Sequence, residues 1–232
     1  MGAGCRHPPS YTRGVVSQPV QLSAIEAWAR ESFEQKNAAR EQALGRSREL
    51  IRTCARSIRS VHRQEFESAA GLLDEASRIG QQMSRDLAEH PDLYHTGYVQ
   101  DALKELVEAT ATLSLLRGEP LPRPEELGIA PPAFLNGLAE AVGELRRYAL
   151  DRLRHGDTLG SEAILQNMDE IYSLLITLDY PDALTGGLRR TTDVTRGILE
   201  KTRGDLTFAL RQDSLERKLA RVEDRLRGGA SL

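Results

Sequence analysis

Glu105 and Glu108 are the residues whose types and spacing most plainly invite chemistry. They belong to the series Asp101, Glu105, Glu108 and Thr112, whose steps of four, three and four put these side chains along one edge of a helix. The same segment carries Val99, Ala102, Leu103, Leu106, Val107, Ala109, Ala111, Leu113, Leu115 and Leu116. A helix apolar almost all round is a buried one. Two carboxylates one turn apart on such a helix repel, and they need a shared cation, a proton or arginine partners. Two readings stay open: a structural salt-bridge network, or a site for a divalent ion. A polar stripe, Glu140, Glu144, Arg147, Asp151 and Arg154, follows on another helix. Glu144 with Arg147 and Arg147 with Asp151 are favourable pairs, whereas Glu140 and Glu144 repel slightly and leave room for a site.

A basic stripe precedes both. Arg48, Arg52, Arg56, Arg59 and Arg63 share a helix face, with His62 beside them. Such a face can track phosphates, or can be solvated and paired with acids. Arg189, Arg190, Arg196, Arg203 and Arg211 form a second basic region. Only four of the 31 basic residues are lysines, and arginine is the better fork for phosphate and carboxylate. None of the five histidines follows a glutamate at the Glu-x-x-His spacing of di-iron bundles. Two cysteines, Cys5 and Cys54, cannot build a disulfide scaffold or a four-thiolate zinc site. The chain has no glycine-rich phosphate loop, no Gly-x-Ser-x-Gly and no His-Glu-x-x-His.

The elements that must position these residues read as helices. Ser23 followed by Glu26 is a capping-box signal. Leu44, Ile51 and Ile58 then recur every seven residues, with Cys54 and Val61 at the half steps, which predicts one long helix. Phe66 to Leu87 predicts a second helix, closed by His90-Pro91-Asp92, and a third covers roughly 96–117. A proline-rich connector runs from Glu119 to Pro132, with a short turn of helix at Glu125–Leu127. A helix over about 133–154 follows, with Gly156 as its C′ residue and Asp157 capping the next. Capping alone is a sufficient reason for Asp157. Ile164, Met168, Ile171, Leu175 and Leu178 mark that next helix, and a last one runs from about 182 to 227. Its tail, Leu215, Leu219, Val222 and Leu226, has the heptad steps of an intermolecular seam.

Composition agrees. The chain has 232 residues, 40% hydrophobic but only 5% aromatic, a balance that favours helices over a β-sandwich or barrel. No segment alternates with period two, so the expected fold is an all-α single-domain bundle of six to seven helices. Residues 1–22 read as a flexible N-terminal arm, 23–227 as the helical domain and 228–232 as a tail. A net charge of −3 argues against a chain that grips nucleic acid over its whole surface, and leaves a local basic patch. No apolar run approaches the roughly 18 residues needed to span a bilayer, and no signal peptide opens the chain, so no membrane partner and a cytoplasmic location are expected.

Three segments carry a resemblance to a known family. Gly97-Tyr98-Val99-Gln100-Asp101-Ala102-Leu103-Lys104-Glu105-Leu106-Val107-Glu108-Ala109 resembles the "LQEYVEA" segment of the translin family. Ser57-Ile58-Arg59-Ser60-Val61-His62-Arg63 resembles its "KRxIxxxHR" segment. Gly143-Glu144-Leu145-Arg146-Arg147, followed by Gly156-Asp157, resembles its "GELxR … GD" stretch. Order and spacing agree over about residues 40–226. The similarity is closer to the translin-associated factor X (Trax) branch, and to the archaeal single-gene members, than to translin itself. The resemblance implies a seven-helix fold assembled into a closed homo-oligomer, an octameric shell, that binds RNA and single-stranded DNA. In the Trax branch it implies an endoribonuclease dependent on Mg²⁺, or on Mn²⁺ in its place, with acids on the inner wall of the shell. The family's Glu-x-x-Glu pair falls on Glu105 and Glu108, and its third acid on Asp157. Family members carry further acids just downstream. Here Thr158, Leu159, Gly160 and Ser161 intervene before Glu162, the acid available to complete a metal set of Glu105, Glu108, Asp157 and Glu162. Arg56, Arg59, His62 and Arg63 are the residues implied to hold the nucleic-acid backbone. The alternatives are a non-catalytic, translin-like RNA- or single-stranded-DNA-binding octamer, and a helical scaffold whose charges are merely solvated.

Overall fold

The computed structural model describes residues 22–229, with side chains to residue 225. The arm expected over 1–22 lies outside the described residues except for Leu22, as does the end of the 228–232 tail. The described residues form no strand. Six long helices carry the fold: α1 (Leu22–His62), α2 (Phe66–Asp86), α4 (Gly97–Arg117), α6 (Pro131–Arg154), α7 (Thr158–Leu175) and α9 (Leu188–Gly229). Three single turns lie between them: α3 (Pro91–Tyr94), α5 (Pro124–Leu127) and α8 (Asp182–Thr185). No described helix is long and apolar enough to cross a membrane.

By its contacts the chain divides into two units, ending and beginning at Ala38 and Ala39. The described part of the first is the opening of α1. There Leu22, Ile25, Trp28 and Phe33 are exposed and Arg30 pairs with Glu26.

The second unit holds the core. α4 and α6 are its centre. α6 packs on α4, α7 and α9, and α2 packs on the other side of α4. α4 buries Val99, Ala102, Leu103, Leu106, Val107, Ala109, Ala111 and Leu113, the all-round burial that its sequence predicts. The last turns of α1 close over it: Leu50, Cys54 and Val61 are fully buried. Ser57 Oγ donates to the Ala69 carbonyl at 2.9 Å, tying α1 to α2.

Two places differ from the helices read in the sequence. Pro91 opens a turn of helix rather than only ending one, because proline fits the first helical position, where no N–H is needed. The last helix does not run unbroken from 182. Gly186 and Gly187 both take positive φ, +61° and +84°, a backbone that other residues enter only at a cost. They end α8 and turn the chain into α9.

Candidate functional site: a three-carboxylate cavity

The site starts from Gly137. A Cβ there would lie 2.6 Å from the Lys104 carbonyl oxygen and 2.7 Å from Val107 Cβ. Only glycine lets α6 approach the α4 backbone this closely. Glu140, three residues further along α6, is thereby carried to the edge of α4 that bears Glu105 and Glu108. Carboxylate oxygens of these three residues all lie within 4.8 Å of one another, and each side chain is half-buried.

Three acids so close cannot all ionise without cost. Burial first, then Glu105, Glu140 and Glu144, push the Glu108 carboxyl from its ordinary 4.5 up to about 8. Glu105 is raised too, by burial and then by Glu140. Lys104 Nζ donates to Glu140 at 2.8 Å. Burial works against its charge, but Glu140, Asp101 and Glu105 hold the ammonium above its ordinary range. Behind the group lies Cys54, whose thiol is pushed up to about 12 by burial and then by Glu105 and Glu108.

The carboxylates form one wall of a cavity of about 670 Å³. The opposite wall is the start of α9, with Arg190, Thr191 and Thr195. That wall is fixed through Asn136, one turn before Glu140 on α6. The Asn136 amide donates to the Thr185 carbonyl at 2.9 Å, and its oxygen accepts from Thr191 Oγ1 at 2.7 Å. One turn of α6 therefore sets both walls.

Asp157 and Glu162 do not join the group: the third carboxylate is Glu140. Asp157 caps α7, accepting from the Gly160 N–H at 2.8 Å, and it accepts from Arg152 Nε at 2.7 Å. These two partners, the backbone N–H first, hold its carboxyl below the ordinary range. It lines a separate cavity of about 280 Å³ with His62, Tyr148, Asp151, Arg152 and His155. Glu162 is exposed on α7, just beyond its first turn. The physical reason is one of connection. Asp157 follows the end of α6, where the chain has already turned away, whereas Glu140 lies mid-helix in the α4 contact.

The basic residues separate in the same way. Arg56 and Arg59 are exposed on α1, and Arg63 is exposed in the turn just after it. Arg63 is held by Glu65 at 2.8 Å, while Arg56 and Arg59 have no ion-pair partner among the described residues. His62 points inward instead, with its side chain only 6% exposed. Its Nε2 lies 2.5 Å from Glu144, and that contact first, with Arg147 beside it, lowers the Glu144 carboxyl. Nδ1 of His62 is buried and has no hydrogen-bond partner.

The sequence leaves Glu140 room for a site beside Glu144 but does not join it to Glu105 and Glu108. Its signal was a glycine three residues earlier in the middle of a helix. Such a residue weakens the helix by about 1 kcal/mol relative to alanine and is retained for close packing.

No protein-family model matches the chain. An uncharacterized protein of Methanocaldococcus jannaschii, MJ0175, is 31% identical over 191 residues, covering 81% of this chain and 84% of the relative. Among solved structures, AfC3PO in complex with duplex RNA matches with a TM-score of 0.76 and 37% identity, over 80% of this chain and 96% of that one. AfC3PO alone matches at 0.74 with 36% identity, over 80% of this chain and 97% of that one. Apo-NeC3PO matches at 0.71 over 83% of this chain and 99% of that one, with 22% identity, a likeness of fold alone. On these matches the chain belongs to the translin/Trax family.

Proposed function

We propose that this protein is an RNA-binding endoribonuclease, in which Glu105, Glu108 and Glu140 hold Mg²⁺ or Mn²⁺ for phosphodiester hydrolysis. The observation that carries this reading is the convergence of three half-buried carboxylates on one point. The donor set suits the ion: it is oxygen only, as hard divalent cations prefer. A bound ion supplies an activated water and neutralises charge on the phosphate. The chain's own residues do the rest. The three carboxylates fix the ion's place, and Lys104 offsets part of the remaining charge on Glu140. Glu108, whose carboxyl is raised, would have to be ionised to hold an ion. The exposed α1 arginines, Arg56 and Arg59 foremost, engage the phosphate backbone.

Duplex RNA is the favoured substrate class, because AfC3PO, 37% identical over 80% of this chain, is seen with it. Single-stranded DNA is the second ligand to test. The working form in this reading is a closed homo-oligomer, an octamer. The apolar residues Phe208, Leu215, Leu219 and Val222 exposed along α9 are the surface that supports it.

A purely binding role has one observation in its favour: Lys104 already gives Glu140 a cation. The experiment that decides is cleavage of a labelled duplex RNA by size-purified protein, with Mg²⁺ and with chelator. Glu105→Gln/Glu108→Gln protein runs beside it. The expected result is metal-dependent cleavage that the double variant lacks. RNA binding without cleavage in either protein would establish the non-catalytic reading.

A further inference from the structure

We infer that Arg190 is a substrate-contacting residue of this site, gripping the RNA phosphate that lies between the carboxylate wall and α9. This rests on the nuclease reading above. Arg190 lines the same cavity as Glu105, Glu108 and Glu140, from the opposite wall. It is exposed to that cavity, yet it has no ion-pair partner among the described residues. Its neighbours on α9 are committed. Arg189 pairs with Asp179 at 2.6 Å, Arg196 with Asp193 at 3.5 Å and Arg203 with Asp169 at 2.8 Å. An arginine that faces three acids across a cavity and bonds none of them is set for a bridging anion. A phosphodiester is that anion: its oxygens can face the metal site on one side and a planar guanidinium fork on the other.

The backbone under Arg190 is held firmly enough for this task. Gly186 and Gly187 take the positive φ that directs the chain across the end of α6. Thr191, the next residue, bonds Asn136, and Asn136 stands one turn from Glu140. The base of the arginine and the third carboxylate are therefore referenced to the same turn of α6. A contact placed in this way acts on charge that develops at the phosphate during hydrolysis, so it shows in the rate of the chemical step more than in affinity.

The test uses the full chain, a labelled duplex RNA and Mn²⁺ as the metal probe. Arg190→Ala and Arg190→Lys are compared with Arg189→Ala, the neighbouring arginine outside the cavity. Three quantities are read: Mn²⁺ affinity by calorimetry, single-turnover cleavage at saturating RNA, and the dependence of RNA affinity on salt with Ca²⁺ in place of Mg²⁺. Arg190→Ala is expected to bind Mn²⁺ as the parent does and to cleave about 100-fold more slowly. Its salt slope falls by about one counterion. Arg190→Lys keeps the slope and recovers only part of the rate, because the charge remains and the fork is lost. Arg189→Ala cleaves within about twofold of the parent.

The inference is overturned if Arg190→Ala cleaves at the parent rate with an unchanged slope. It is overturned equally if Mn²⁺ binding or helical circular dichroism is lost with the activity, which marks a structural role, or if Arg189→Ala shows the same deficit. A parent protein that binds RNA but does not cleave it sinks the nuclease reading alone. The salt slope of Arg190→Ala then decides: reduced by one, the phosphate contact stands, and unchanged, it falls. A parent that binds no RNA overturns both.

Discussion

The two cavities flanking α6 treat the same chemical group in opposite ways. In the smaller one every carboxylate has a partner. Asp157 has Arg152 and the Gly160 N–H, and Asp151 has Arg154 at 3.7 Å; Glu144, outside the lining, has His62, which lines it. Glu144 and Asp157 are accordingly held below their ordinary range. In the larger cavity Glu105 and Glu108 meet each other and Glu140, and the Glu108 carboxyl is driven up to about 8. Glu140 and Glu144 sit one turn apart on one helix, and they fall on opposite sides of this divide. What separates them is the neighbouring element: α4 brings Glu140 two more acids and one lysine, Lys104, whereas α1 brings Glu144 a histidine. A carboxylate that is satisfied within the fold stabilises it. A carboxylate group left in mutual repulsion is available to a ligand.

The contrast can be broken or sharpened by experiment. The largest effect is expected from Glu140→Gln, which should lower Mg²⁺-dependent cleavage by roughly 10³-fold and weaken Mn²⁺ binding at least tenfold. Asp157→Asn should leave both within about threefold, since it only modifies a cap. Equal losses in the two variants would return Asp157 to the site and undo the contrast.

Gly137→Ala comes next. The new methyl would press on the α4 backbone, which cannot rotate away as a side chain can, so a destabilisation of about 1–3 kcal/mol is expected. Denaturant melts measure it. Mn²⁺ affinity should fall with it, because α6 no longer brings Glu140 up to the pair. A Gly137→Ala protein with parental stability and affinity would show that the helix contact does not set the site.

Glu108 and Glu144 should also bend the pH–stability curve in opposite directions. Folded, Glu108 keeps its proton up to about 8, against an ordinary value of 4.5. The folded chain therefore binds the extra proton between those values, and stability falls as pH rises across that window. Glu144 is lowered below its ordinary 4.5, so its contribution is present above that value and is lost as pH falls through its folded pKa. Urea midpoints across pH should show both limbs. Glu108→Gln should flatten the alkaline limb, and His62→Gln the acid one. The same limb lost in both variants would mean that the two carboxyls are not independent.

The smallest effect expected is on the cap itself. Asp157→Ala should lower Tm by about 2–4 °C, read by circular dichroism, with no loss of Mn²⁺ binding.

The long helices were legible because their periodicity repeats a single physical demand. Ile164, Met168, Ile171 and Leu175 were read as one stripe, and all four are buried in α7. The break at Gly186-Gly187 was hidden because leucine and alanine on either side continue a helical pattern, and only the φ of the two glycines interrupts it. The site divides likewise. Glu105 and Glu108 were visible as a pair because one helix carries both. Glu140 was not, because it reaches them through a contact between elements some thirty residues apart, licensed by a side chain that Gly137 does not have. Asp157 attracted attention because a short motif placed it after Glu144 in the chain. Distance along the chain and distance in space part company at the end of α6.

Cys54 makes the packing behind Glu105 and Glu108 a clock. Its thiol is fully buried beneath two carboxylates, and at pKa about 12 almost none of it is thiolate near neutrality. A soluble alkylating reagent reaches it only when the end of α1 lifts from α4. In a chain whose Cys5 is replaced by serine, the labelling rate relative to that of the unfolded chain gives the free energy of that lifting. The stiffness of that packing can thus be measured in solution, one sulfur atom reporting how often the ground beneath Glu105 and Glu108 gives way.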